Sequence, residues 1–177
     1  MIRYLLLWMF TQSVMPSPMA LPVRETILQV CERNKVDYQV IKKQIAVESG
    51  WRWYIVGIQG EVGLLQVKSI TAEEMLGRKV CVFELKDSIL NVESGIRYIK
   101  FLSKFFESLG YNGRDLKLVT WAAYNEGPGN TIKRHFSGKV CKELCRAFRL
   151  YAEQDVLPTK VKIVKAKETR YTKKVLG

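Results

Sequence analysis

Apolar residues recur at three- and four-residue spacing along most of this chain, the period of helices that bury one face. The strongest run covers 88–109, where Ile89, Val92, Ile96, Ile99, Leu102 and Phe106 line up behind the cap candidate Asp87. That helix is expected to be the spine of the core. Residues 22–33 place Ile27, Val30 and Cys31 on one face, and Asp37 is a cap for a second helix with Val40, Ile41 and Ile45 inward. Gly50 ends it as the residue just past the C-cap. Between 51 and 67 the helical period fades into aromatics and glycines (Trp51, Trp53, Tyr54, Gly57, Gly60, Gly63), which predicts a loop or short hairpin. Further helices are expected over 71–76, 116–124, from 130 and over 139–153, with Gly127, Pro128 and Gly129 as a turn. The pattern predicts a mainly α, single-domain protein over 21–157.

Length and composition agree with one folded domain: 177 residues, 47% hydrophobic and 26% charged. Charge changes the picture more, with 29 Lys and Arg against 17 Asp and Glu, a formal +12. Such a balance favours anionic partners. Nucleic acid ranks last among them, because no binding motif accompanies the charge. Seven basic side chains and one acid fall in 159–177, so 158–177 is expected to be a solvated basic tail, with contact to an anionic surface as the alternative. At the other end, 1–20 has the form of an export signal: Arg3, an apolar run over 4–10, then a small-residue region ending at Ala20. Pro18 suits cleavage after Ala20 poorly, which leaves an uncleaved anchor or a buried first helix as alternatives. Export to the periplasm or cell envelope is the expectation. There Cys31, Cys81, Cys141 and Cys145 would be buried thiols or form disulfides, and their spacing matches no metal site.

Three segments carry candidate chemistry: Ile-Ala-Val-Glu-Ser-Gly at 45–50, Gly-Leu-Leu-Gln at 63–66 and Ala-Ala-Tyr-Asn-Glu-Gly-Pro-Gly at 122–129. Together they offer one carboxyl, one carboxamide loop and one aromatic-amide turn, parts suited to protonating a glycosidic oxygen and holding a sugar ring. A glutamic acid must be protonated to do that near neutral pH, and an ordinary Glu is mostly ionised there. Glu48 is placed for a raised pKa, in the last turn of its helix, where the dipole disfavours a carboxylate. Desolvation by Trp51 and Trp53 is expected to add to this. Gln66 offers donors and an acceptor to a hydroxyl or acetamido group, and Tyr124 and Asn125 are delivered to the same cleft by a helix end.

These blocks, in this order, resemble the catalytic domain of the lytic transglycosylases, the soluble murein-cleaving family similar in fold to goose-type lysozyme. The likeness runs from about Ile27 to about Leu150. It includes the fifteen-residue step from Glu48 to Gly63 and the segment Asn-Val-Glu-Ser-Gly-Ile-Arg-Tyr-Ile-Lys-Phe-Leu at 91–102. The resemblance implies a lysozyme-like fold, Glu48 as the acid/base, and Ser49, Gln66, Tyr124 and Asn125 against the sugar, with no cofactor and no metal. This chain departs from the family pattern at Arg52, Trp53, Gly57 and Ser69; Gly57 stands where the family has a serine that contacts substrate.

With one matching carboxyl, the expected reaction is cleavage of the β-1,4 bond between N-acetylmuramic acid and N-acetylglucosamine, closing a 1,6-anhydro ring. Glu61 and Glu126 match no family catalytic position. A water-using muramidase is the first alternative. The second is a non-catalytic glycan-binding component of an envelope-spanning assembly, such as a secretion or pilus machine.

Overall fold

A computed structural model describes residues 20–154, 165–166 and 168–176. Among the described residues eight α-helices follow one another: α1 (Ala20–Arg33), α2 (Tyr38–Glu48), α3 (Ser69–Leu76), α4 (Ser88–Ser108), α5 (Gly113–Glu126), α6 (Pro128–His135), α7 (Gly138–Gln154) and α8 (Arg170–Leu176). The expected caps are in place. The Asp37 carboxylate accepts from the Gln39 N–H at 2.8 Å and the Asp87 carboxylate from the Leu90 N–H at 2.8 Å, satisfying donors that a helix start leaves open.

The spine is α4, which packs against α1, α3 and α5. Its N-terminal half joins Ile27, Val30, Ile41, Ile45 and the loop residues Leu64 and Leu65 in one buried cluster. Its C-terminal half, with Leu102, Phe105 and Phe106, joins α5, α6 and α7 in a second. Ile89 was expected on the inward stripe but is exposed, while Phe105 is buried. Partners on several sides of α4 widen its apolar face beyond a single stripe.

Two left-handed residues in succession, Gly50 (φ +58°) and Trp51 (φ +69°), turn the chain out of α2. The loop that follows bears out the reading of 51–67: its pairing consists of isolated antiparallel bridges, Val56 with Val62 and Val62 with Val67. The expected Gly-Pro-Gly turn is shorter than read. Gly127 alone makes the break (φ +82°), and Pro128 opens α6, where its fixed φ and missing N–H cost nothing.

The larger correction concerns the basic terminus. Of the expected solvated tail, α8 packs against α2 and α5, and Val175 and Thr172 are fully buried. Arg170, Lys173 and Lys174 stay exposed while Tyr171 and Val175, four apart, turn inward. Burying one valine stabilises by about 1.5–3 kcal/mol, so the charges decorate a docked helix. The leader expected over 1–20, apart from Ala20 at the start of α1, lies outside the described residues, as does 155–164.

Candidate catalytic cleft

The end of α2, the loop 57–68 and the end of α5 meet around a cleft of about 460 Å³, within the range of small-ligand sites. Glu48, Glu61, Gln66, Tyr98, Tyr124 and Asn125 are among the residues that line it. The Gly-Leu-Leu-Gln loop reaches this position because α4 clamps it. Buried Asn91 donates to the carbonyls of Val62 (2.8 Å) and Leu85 (2.9 Å) and accepts the Leu65 N–H at 2.8 Å. The approach is close enough to exclude side chains: a Cβ on Gly63 would lie 2.5 Å from the Asn91 amide nitrogen, and one on Gly95 2.6 Å from Leu65 Cδ1. The loop ends on Gln66, itself left-handed at φ +48°, a conformation that costs a non-glycine residue roughly 1–2 kcal/mol.

Glu48 is the last residue of α2. Its Oε1 accepts two donors, the Tyr171 hydroxyl at 2.6 Å and Gln44 Nε2 at 2.8 Å, and Gln44 Nε2 also donates to the Tyr171 oxygen. Burial raises the Glu48 pKa above the ordinary carboxylate value, against the lowering effect of the Tyr171 hydrogen bond, and the negative charge of Glu61 adds to the rise. The direction is the expected one, but the cause is only partly so. Trp53 is exposed and packs edge-on against Tyr54, while Trp51 lies under the Arg24 guanidinium. Neither tryptophan lines the cleft.

Tyr171 is the functional candidate that sequence reasoning missed. It reaches Glu48 from 123 positions away on a helix read as tail. Burial and the neighbouring Glu48 charge push its own pKa far up, so it remains a donor. Tyr124, partly buried, likewise stays protonated and donates to the Leu65 carbonyl at 2.8 Å. Gln66 lines the cleft with Nε2 donating to the Gly63 carbonyl at 2.8 Å, and exposed Asn125 lines it too.

Ser49, expected against the sugar, is not brought there. It is buried, its hydroxyl donates to the Ile45 carbonyl at 3.1 Å, and it forms the C-cap of α2. Side chains of successive helix-end residues diverge, so Glu48 facing the cleft turns Ser49 into the core. The four cysteines are free thiols, with Cys31 in the core and Cys81 exposed. Among the described residues no group of three His, Cys, Asp or Glu side chains is gathered as metal ligands would be.

Residues 25–139 match the family model for the transglycosylase SLT domain. The chain is 29% identical over 115 residues to the membrane-bound lytic murein transglycosylase E of Buchnera aphidicola, covering 62% of this chain and 52% of that relative. It therefore spans about half the length of that protein. It also resembles the X-ray structure of an inactive mutant of the lytic transglycosylase Slt from Pseudomonas aeruginosa, with TM-score 0.52 and 24% identity, covering 76% of this chain and 22% of that one. The likeness bears out the mainly α, lysozyme-like fold.

Proposed function

The chain belongs to the transglycosylase SLT domain family, and from that premise we propose that it is a lytic murein transglycosylase with Glu48 as its single acid/base. One observation carries this reading: a carboxyl whose pKa burial raises lines a cleft together with Gln66, Tyr124 and Asn125. Tyr171 and Gln44 both donate to Oε1, so the proton belongs on Oε2. From there it passes to the glycosidic oxygen as the bond from that oxygen to the muramyl anomeric carbon breaks. The muramyl 6-hydroxyl then bonds to the same carbon, and Glu48, now a carboxylate, takes its proton. The nucleophile is part of the substrate and so acts at high effective molarity. No water enters the product, and Glu48 ends as it began.

A water-using muramidase of the two-carboxylate kind would need a second group, and Glu61 is the carboxylate nearest in sequence that shares the cleft. Burial raises the Glu61 pKa, but hydrogen bonds from its own N–H, from Lys68 and from the Gln59 N–H outweigh this and lower it. A lowered pKa makes it a weak base, which favours the anhydro product. The substrate places the activity in the cell envelope, in keeping with an export leader at 1–20. A role within an envelope-spanning secretion or pilus assembly is compatible with such an activity, since those machines must cross the wall. Among the described residues no helix is long and apolar enough to cross a membrane.

The test is Glu48→Gln, isosteric and able to keep a carbonyl oxygen for Tyr171. Murein cleavage should fall at least about a hundredfold with the helical circular dichroism unchanged. Activity within about tenfold of wild type would refute the assignment.

A further inference from the structure

Gly57 has no side chain, and neighbouring polar groups occupy the space in front of it. A Cβ built on Gly57 would lie 2.5 Å from Glu61 Oε2 and 3.0 Å from Gln66 Oε1, so both polar ends crowd the space in front of a residue with no side chain. The turn brings them there: the Gly57 N–H donates to the Glu61 carbonyl, and the Gly60 N–H to the Gly57 carbonyl at 3.1 Å. The Glu61 carboxylate is held in that place. Its Oε1 pairs with Lys68 Nζ at 3.3 Å, and its Oε2 accepts the Gln59 N–H at 3.1 Å. A carboxylate accepts about four hydrogen bonds, so these two and the one from its own N–H leave capacity for a ligand, and the Glu61 side chain is 24% exposed within the cleft lining.

We propose that Glu61 is a glycan-contacting residue, its carboxylate standing where position 57 supplies no side chain and accepting a hydrogen bond from a sugar hydroxyl or acetamido N–H. This rests on the murein transglycosylase reading above. Sugar rings present mainly donors of this kind, and an ionised acceptor binds them more strongly than a neutral one. The two positions are therefore a linked pair. A side chain at 57 and the carboxylate at 61 compete for one volume, so a Cβ at 57 would push the Glu61 carboxylate out of its present place.

The test is a double-mutant cycle on binding, made in Glu48→Gln protein so that nothing is cleaved, with a soluble tetrasaccharide of alternating N-acetylglucosamine and N-acetylmuramic acid followed by calorimetry. Glu61→Ala should weaken binding at least about tenfold, the loss of one charge-assisted hydrogen bond. Gly57→Ser alone should also weaken it, because its Cβ meets the Glu61 carboxylate. Gly57→Ser combined with Glu61→Ala should regain part of the loss, since the serine hydroxyl then enters an empty volume, and Glu61→Gln, which keeps an acceptor, should lose less than Glu61→Ala. Binding by Glu61→Ala within about threefold of its parent overturns the proposal, as does a double variant no better than Glu61→Ala. These constants read the contact independently of chemistry. Unchanged binding alongside anhydro product from wild type would sink Glu61 alone, whereas a full cycle of coupling without any cleavage by wild type would sink the transglycosylase reading alone.

Discussion

In the proposed reaction the Glu48 side chain is an acid first and a base second, and its neighbours suit both states. Burial favours the neutral acid, while the Tyr171 hydroxyl, donating to Oε1, favours the carboxylate formed after proton transfer. Replacing Tyr171 with Phe removes the lowering influence, so the Glu48 pKa should climb further. The acid form starts the reaction, and activity falls as pH rises through that pKa. In Tyr171→Phe this alkaline limb should therefore move to higher pH, with a lower maximal rate because the carboxylate loses one of its two donors; a pH–rate profile superimposable on wild type would contradict the role. The same shift affects stability. A carboxyl whose folded pKa lies above its unfolded one contributes stability that is complete below the unfolded value and is lost as pH rises through the folded value. Glu48→Gln removes that loss, so its melting temperature should exceed wild type's at neutral pH and converge with it in acid, near the ordinary carboxylate pKa. Thermal melts of both proteins across pH check this.

At the scale of elements, two docking events build the cleft, and they differ in how visible they are in sequence. The helices announced themselves: the caps Asp37 and Asp87 and the spacing of Val92, Ile96, Ile99 and Leu102 are local signals, and the structure uses each of them. The clamp was harder to see. Asn91 is a polar residue beside an apolar stripe, and nothing local says that it holds a loop 26 to 29 residues away. Asn91→Ala leaves the Leu65 N–H and two carbonyls without that partner and should destabilise by about 3 kcal/mol, measured by denaturant unfolding. The α8 helix was read wrongly because its three basic residues dominate a seven-residue window, hiding an inward pair, Tyr171 and Val175, too short to show a period. Ending the chain after Thr169 should lower stability by roughly 2 kcal/mol or more, from the loss of Val175 burial alone, and should depress murein cleavage. A solvated tail would change neither, so equal melting and activity in the shortened protein would restore the simpler reading.

At the scale of the molecule, the chain carries a formal +12 while the cleft lining includes Glu48, Glu61 and Glu126. On the proposed function, such an excess suits adhesion to a wall whose peptides carry carboxylates. Sedimentation with insoluble murein should weaken as salt rises toward 1 M, where the Debye length is about 3 Å, while cleavage of short soluble glycans changes little; adhesion indifferent to salt would show that contacts in the cleft alone hold the polymer. The central claim concerns what leaves that cleft. Purified murein digested with wild type, beside a Glu48→Gln control, should release muropeptides ending in 1,6-anhydro-N-acetylmuramic acid, lighter by one water than the hydrolysed sugars, with none above background from the control. Mass spectrometry of the products reads this directly. Muropeptides carrying the full mass of a reducing end would make the protein a water-using muramidase, and anhydro products persisting undiminished in Glu48→Gln would remove Glu48 from the centre of the mechanism.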